Sequence, residues 1–411
     1  MEQYLLYLTS IAVILFIGLF IALVSKKIKI SNILLLLITG IALSNVTFYG
    51  EKLFVFPTVF LTSLGVLALV MVVFDASSRF RWKTIDVYTI KALKLAFIFL
   101  LLNLILLSIA ATFIFDIKNV FLVMIFSSIM VATSPDVVFS MLNHAKNKTN
   151  KAVELLRIES IVNTPLTVLL PFIILGLMQT LNVETVIFSK LLEQLKPFLM
   201  QFIVGIGTGV LVGLIVAKAM RKAYSETLSP LALLTAALLT YIIAENLGGN
   251  GVLAVTVMGL LFGNLYIKQK EQLYNFSTIL GNSLIILVFI LIGIGIEMPL
   301  QDYTFWWKAG ILFVIYLLIR YISVELSTFL GLKEKLNFKE KLFMSLNIPK
   351  GIAVAVVAFT LATKVADIPQ LSIILNLIIA FMLFSLVIST IVSKFENWFL
   401  DGNEINRNRF V

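Results

Sequence analysis

The chain has 411 residues, of which 60% are hydrophobic and 13% charged, with no cysteine, one histidine and a formal net charge of +10. Soluble domains carry about 25% charged residues, so that class is excluded, and the absence of cysteine removes disulfides, thiolate metal sites and cysteine nucleophiles. The lone His144 lies in the hydrophilic run from Asn143 to Lys148, which reads as a loop and leaves no histidine for nucleophilic catalysis at membrane depth.

The apolar residues fall in blocks long enough to cross about 30 Å of hydrocarbon. Thirteen spans are predicted in chain order: 4–24, 31–45, 53–74, 92–115, 119–142, 154–180, 197–218, 229–246, 250–267, 277–298, 305–329, 341–363 and 370–394. The first is too long for a signal-peptide core and is read as a retained span. The second is short, the fifth and twelfth are interrupted, and the others are ordinary. Twenty-four of the 32 Lys and Arg residues fall in alternate loops and the C-terminal tail, and six in the opposite loops. That bias follows the positive-inside rule and predicts an external N-terminus and a cytoplasmic C-terminus. The basic residues therefore orient the chain in a cell membrane, and nucleic acid is not an expected partner. No loop could house a nucleotide-binding domain and no G-x-x-x-x-G-K-[ST] occurs, so transport is expected to run on gradients.

In the fifth span, Thr133-Ser134-Pro135-Asp136 places two hydroxyls, a proline and a carboxylate near the bilayer middle. In the twelfth, Asn347-Ile348-Pro349-Lys350-Gly351 does the equivalent with a lysine. Proline removes an N–H and clashes with the carbonyl four residues back. Such breaks persist in lipid only where protein or a watery cavity satisfies the backbone. The two spans lie seven apart, so they cross in opposite senses. An inverted repeat is expected, about 1–180 and 229–396, with 197–218 as linker, within one transmembrane domain over 1–411.

The sixth span carries Glu159, Ser160, Asn163 and Thr164, with Glu159 and Asn163 one helical turn apart on a shared face. An acid at that depth needs a partner, and a structural ion pair of Glu159 with Lys350 is expected. Asp136, with Thr133 and Ser134 beside it, is the candidate ion or proton ligand, and Glu159 is a second candidate for Na+; a helix-capping role for Asp136 competes. Arg320 and Glu325 are expected to pair, Glu297 to snorkel, and Glu245 to be an interface residue beside a tight turn.

The stretches Glu159-Ser160-Ile161-Val162-Asn163, Ala244 through Val255, and Pro349-Lys350-Gly351 resemble the NhaP-type sodium/proton antiporters of the monovalent cation/proton antiporter superfamily. The resemblance implies an all-α membrane protein with discontinuous helices crossing at the membrane middle. It also implies a homodimer, with a dimerisation domain and a six-helix core that rocks. Activity would be secondary exchange of Na+, or Li+ or K+, for H+, without cofactor. Three positions depart from the family pattern. Its Thr-Asp-Pro becomes Thr133-Ser134-Pro135, the aspartate that is its usual ion and proton carrier falls on Thr164, and its usual arginine is Lys350. Three alternatives follow. Asp136 takes over the carboxylate role with Thr133, Ser134, Ser160, Asn163 and Thr164 as neutral ligands; or Lys350 carries the proton while Glu159 binds the cation; or the fold carries another ion or solute with altered coupling. An ion channel and a membrane enzyme are the other classes weighed. No selectivity filter, deep histidine or paired-acid motif supports either.

Overall fold

A computed structural model describes residues 3–28, 32–48, 51–52, 54, 56–79, 87–134, 138, 151–180, 188–222, 225, 228–265, 270–295, 298–329, 336–362 and 364–400. Helix α1 spans Gln3–Ile28 and α2 Asn32–Ser44, linked to α3 (Thr58–Ser78) by a hairpin of two-residue strands, Thr47–Phe48 and Glu51–Lys52. Then come α4 (Val87–Leu102), a π-helical turn (Asn103–Leu107), α5 (Ser108–Phe115), α6 (Val120–Ile129), α7 (Lys151–Thr180) and α8 (Phe188–Lys222). Next are α9 (Leu228–Asn246), α10 (Gly251–Asn264), α11 (Lys270–Gly295) and α12 (Tyr303–Phe329). The chain closes with α13 (Phe338–Leu346), α14 (Ile352–Ala362), α15 (Leu371–Lys394) and α16 (Glu396–Leu400). Every apolar block expected from the sequence carries helix. Among the described residues, eight helices are long and apolar enough to cross a membrane, and five shorter apolar helices accompany them.

Two expected breaks are real. α6 stops at Ile129, and the backbone from Val131 through Ser134 is not helical. α13 stops at Leu346, and residues 347–351 are not helical before α14 begins. A third irregularity was not expected: the fourth span is not an ordinary helix but is relaxed by the π turn at Asn103. Asn103 is fully buried and neither atom of its amide has a partner among the described residues. A polar side chain in the middle of the block 92–115 was the available signal, since π turns recur where a helix accommodates one awkward group.

The most extensive helix packing falls in two sets, which are joined by α14 lying on α3 and α11. In the first, α2 lies on α11, and α10 lies on both α3 and α8. In the second, α7 packs on α4 and α6, and α12 packs on α4 and α13. Apolar lipid tails give helices no hydrophobic reason to associate, so small residues that let backbones approach hold such contacts. At the crossing of α2 and α11, a methyl on Gly293 would lie 2.6 Å from the carbonyl carbon of Gly40. The two backbones touch there, and only glycine fits. Replacing Gly293 with valine is expected to destabilise the protein by about 1–3 kcal/mol through overpacking. A lowered unfolding temperature in detergent micelles checks this, and an unchanged one would refute the contact.

Candidate functional site at the crossing of two broken helices

The two interrupted segments meet directly. The Ser134 amide donates to the Pro349 carbonyl at 2.9 Å, joining one break to the other by backbone alone. The approach is tight enough that a Cβ at Gly351 would collide with the Ser134 hydroxyl. Glycine at 351 is therefore a geometric requirement of the crossing.

A helix that stops inside the bundle leaves its last carbonyls without partners and the negative end of its dipole unscreened. Lys350 answers both problems. Its Nζ is fully buried and donates to the carbonyls of Met130 and Ala132 and to the Tyr316 hydroxyl, each at 2.6 Å. Tyr316, from α12, in turn donates to the Met130 carbonyl at 3.0 Å. Three acceptors match the three donors of an ammonium group. The Lys350 amide is held by Ser385 Oγ of α15 at 3.2 Å.

One turn along α12 from Tyr316 sits Arg320, fully buried and bidentate to Glu159, with Nη1 to Oε1 and Nη2 to Oε2 both 2.6 Å. Its guanidinium lies 4.6 Å from the ring centre of Phe99, which also stacks beside Tyr316. Parallel double bonds of this kind fix orientation as well as charge. Asn163, one turn on from Glu159, donates from Nδ2 to the Val131 carbonyl at 3.3 Å and so fastens α7 to the first break.

Around this framework several buried oxygens have no hydrogen-bond partner among the described residues: Thr133 Oγ1, Ser134 Oγ and Asn163 Oδ1. Neither amide atom of Asn347 has one either. Buried polar atoms are nearly always satisfied, so a cluster of neutral oxygens aimed at no protein donor suits a dehydrated hard cation or water.

The family described as "Sodium/hydrogen exchanger, transmembrane" matches residues 11–395. The chain belongs to this family. Among individual relatives, the probable Na(+)/H(+) antiporter 2 of Methanocaldococcus jannaschii is 25% identical over 383 residues, covering 89% of this chain and 87% of that protein. The K(+)/H(+) antiporter NhaP2 of a Shewanella strain is 25% identical over 252 residues, 61% of this chain but only 43% of that protein. In structure, the sodium proton antiporter MjNhaP1 of M. jannaschii at pH 8 superposes with a TM-score of 0.76 at 21% identity, covering 98% of this chain and 99% of that one. That agreement extends over the whole chain and establishes the exchanger fold.

Several expectations about individual residues change. Glu159 pairs with Arg320, not with Lys350, because only a guanidinium presents two parallel donors to both carboxylate oxygens. Lys350 instead spends its donors on the carbonyls that the broken helix exposes. Arg320 does not pair with Glu325, whose carboxylate binds Lys341 of α13 at 2.8 Å. Glu245 is exposed at the end of α9, and its Oε1 accepts from the Gly251 amide at 2.8 Å, closing the turn before α10. Ser160 is buried on α7 with its hydroxyl donating to the Arg157 carbonyl. Thr164 follows Asn163 on that helix; its side chain, like Asp136, Glu297 and His144, lies outside the described residues.

Sequence reasoning overlooked Tyr316 and the role of Arg320. The signal was present: tyrosine and arginine four apart within an otherwise apolar span share one helical face. Substituting Glu159 with glutamine leaves Arg320 buried and unpaired, which is expected to remove about 3–5 kcal/mol of stability. Replacing both together, with Glu159→Leu and Arg320→Met, is expected to recover most of it. Unfolding temperatures of the single and double variants check the pair; equal losses in both would contradict it.

Proposed function

We propose that this chain is a secondary antiporter exchanging a monovalent cation for protons by alternating access at the crossing of the two broken helices. The observation that carries the reading is the backbone bond from Ser134 to Pro349, sealed by Lys350 and bordered by unpartnered buried oxygens. Sodium is the first cargo and potassium the second; the Shewanella relative, a K(+)/H(+) antiporter, motivates testing both.

The proposed carrier is Asp136. Two peptide units separate it from Ser134, which keeps its Cα within about 7 Å of that residue's and so within reach of the crossing. Thr133, Ser134, Ser160, Asn163 and Thr164 are proposed as neutral oxygen ligands beside it. Glu159 is assigned a positioning role, since cation binding there would break its double bond to Arg320. Lys350 is assigned the fixed positive charge that balances the carboxylate when no cargo is bound.

One carboxylate can hold one cation or one proton, so each cargo neutralises the same carboxylate. Exchange is then one for one and moves no net charge. The second helix group, carrying the crossing, moves against the first group, which serves as scaffold. The chain is further proposed to form a homodimer, to repeat its architecture in inverted halves, and to keep its C-terminus in the cytoplasm, on the strength of the positive-inside bias.

Sodium-loaded vesicles containing the protein and a trapped pH dye, diluted into sodium-free buffer, are expected to acidify inside. Asp136→Asn is expected to reduce the signal to the leak rate. Because protons compete with the cation, its apparent KM should rise as pH falls, while the rate at saturating cation should recover. An imposed membrane potential should leave the rate unchanged. No acidification with sodium, potassium or lithium would reject the antiport reading, and a full rate in Asp136→Asn would reject the carrier assignment alone.

A further inference from the structure

A cavity of about 170 Å3 lies among α4, α7, α12 and α13, and none of its lining residues belongs to the crossing. Its floor is apolar, built by Leu95, Leu155, Val324, Leu336 and Met344, all buried. Its rim is polar. Lys91 and Lys94, three residues apart on α4, stand half-buried on one side. Ser327 and Thr328 stand on the other, at the end of α12. Ile90 on the lip is 59% exposed, so the cavity opens outward from the helix bundle.

The setting is strongly electropositive. In the sequence, the stretches 75–94, 144–157 and 331–341, which adjoin or include residues of these helices, hold thirteen Lys and Arg against five Asp and Glu. No acidic residue is among those lining the cavity; of the acids near its lining residues in sequence, Glu325 binds Lys341 and Glu154 is exposed. The two lysines sit within the first turns of the apolar helix α4.

We propose that this cavity binds an acidic phospholipid, its phosphate between Lys91 and Lys94 and the upper part of one acyl chain on the apolar floor. A basic pocket between membrane helices, flanked by positive loops, has the charge and shape for such a headgroup. A free phosphate would satisfy the lysines but leave five apolar side chains facing water, so the occupant must be an amphiphile. The bound lipid bridges α4 to α12 and α13. Those helices carry Phe99, Tyr316 and Arg320 and lead into the Lys350 segment, so occupancy stiffens the group of helices that holds the crossing.

The test needs no transport reading. Full-length protein in neutral detergent is titrated with phosphatidylglycerol, phosphatidylcholine or glycerol 3-phosphate while its unfolding temperature is followed. Phosphatidylglycerol is expected to raise that temperature at low concentration and the other two are not. Lys91→Gln/Lys94→Gln should weaken the response, read as the shift from that variant's own lipid-free unfolding temperature, by roughly ten-fold or more in lipid concentration. Thr328→Phe, which fills the mouth without touching either lysine, should blunt it as well. In vesicles, exchange should be faster with phosphatidylglycerol than with phosphatidylcholine alone for the wild type, and equal in both for the lysine variant. An undiminished phosphatidylglycerol response in both variants, or an equal response to glycerol 3-phosphate, would overturn the proposal.

Discussion

Every other feature of the second helix group follows from the need to satisfy backbone polar groups where two helices stop inside the membrane. Hydrocarbon supplies no hydrogen bonds, and each orphaned carbonyl costs several kcal/mol there. The crossing resolves this with few parts. Ser134 and Pro349 pair one amide with one carbonyl across the breaks, and Lys350 gathers two further carbonyls at the end of α6. Gly351 keeps the strands close enough for these bonds, and Tyr316 supplies the last acceptor while holding the same Met130 carbonyl.

That solution creates a new demand. A buried ammonium must be held in register with a helix end, so α12, which carries Tyr316, cannot drift. The Glu159–Arg320 pair fixes α12 to α7, and Asn163 fixes α7 to the first break, closing a loop of contacts among α6, α7, α12 and the non-helical segment before α14. Removing water from two charges is expensive, and such pairs often contribute little net stability. Their value here is registry: a bidentate pair tolerates one geometry, and Phe99 stacked on the guanidinium restricts it further.

The sequence revealed the architecture more readily than the site's wiring. The apolar helices and the breaks in the fifth and twelfth spans are written in apolar runs and prolines, which are local signals. Choosing Lys350 over Arg320 as the partner of Glu159 was a non-local question, because all three charges lie far apart in sequence and each pairing looked plausible from depth alone. What decides it is donor shape. A guanidinium matches a carboxylate at two points, whereas an ammonium radiates three donors that suit separate carbonyls. The π turn escaped for a related reason: Asn103 announced a polar group in a span but not how the backbone would yield to it.

The departures at Ser134 and Thr164 gain meaning within this wiring. Where the resemblance led one to expect aspartates, the chain has hydroxyls, so the crossing loses negative charge while retaining a lysine whose three donors are all engaged. Glu159 and Arg320 cancel each other, and the described residues thus leave one positive charge without a carboxylate. The negative end of α6 offsets about half of it. One further acid restores balance, and Asp136 follows the break directly in sequence. Under the proposed assignment of Asp136 as carrier, the empty site is neutral and the loaded site carries one positive charge whether the cargo is a proton or a metal ion. The moving group of that proposal then crosses the membrane with the same charge in both loaded directions. Such symmetry favours exchange insensitive to potential, and it asks for no alteration of the fold.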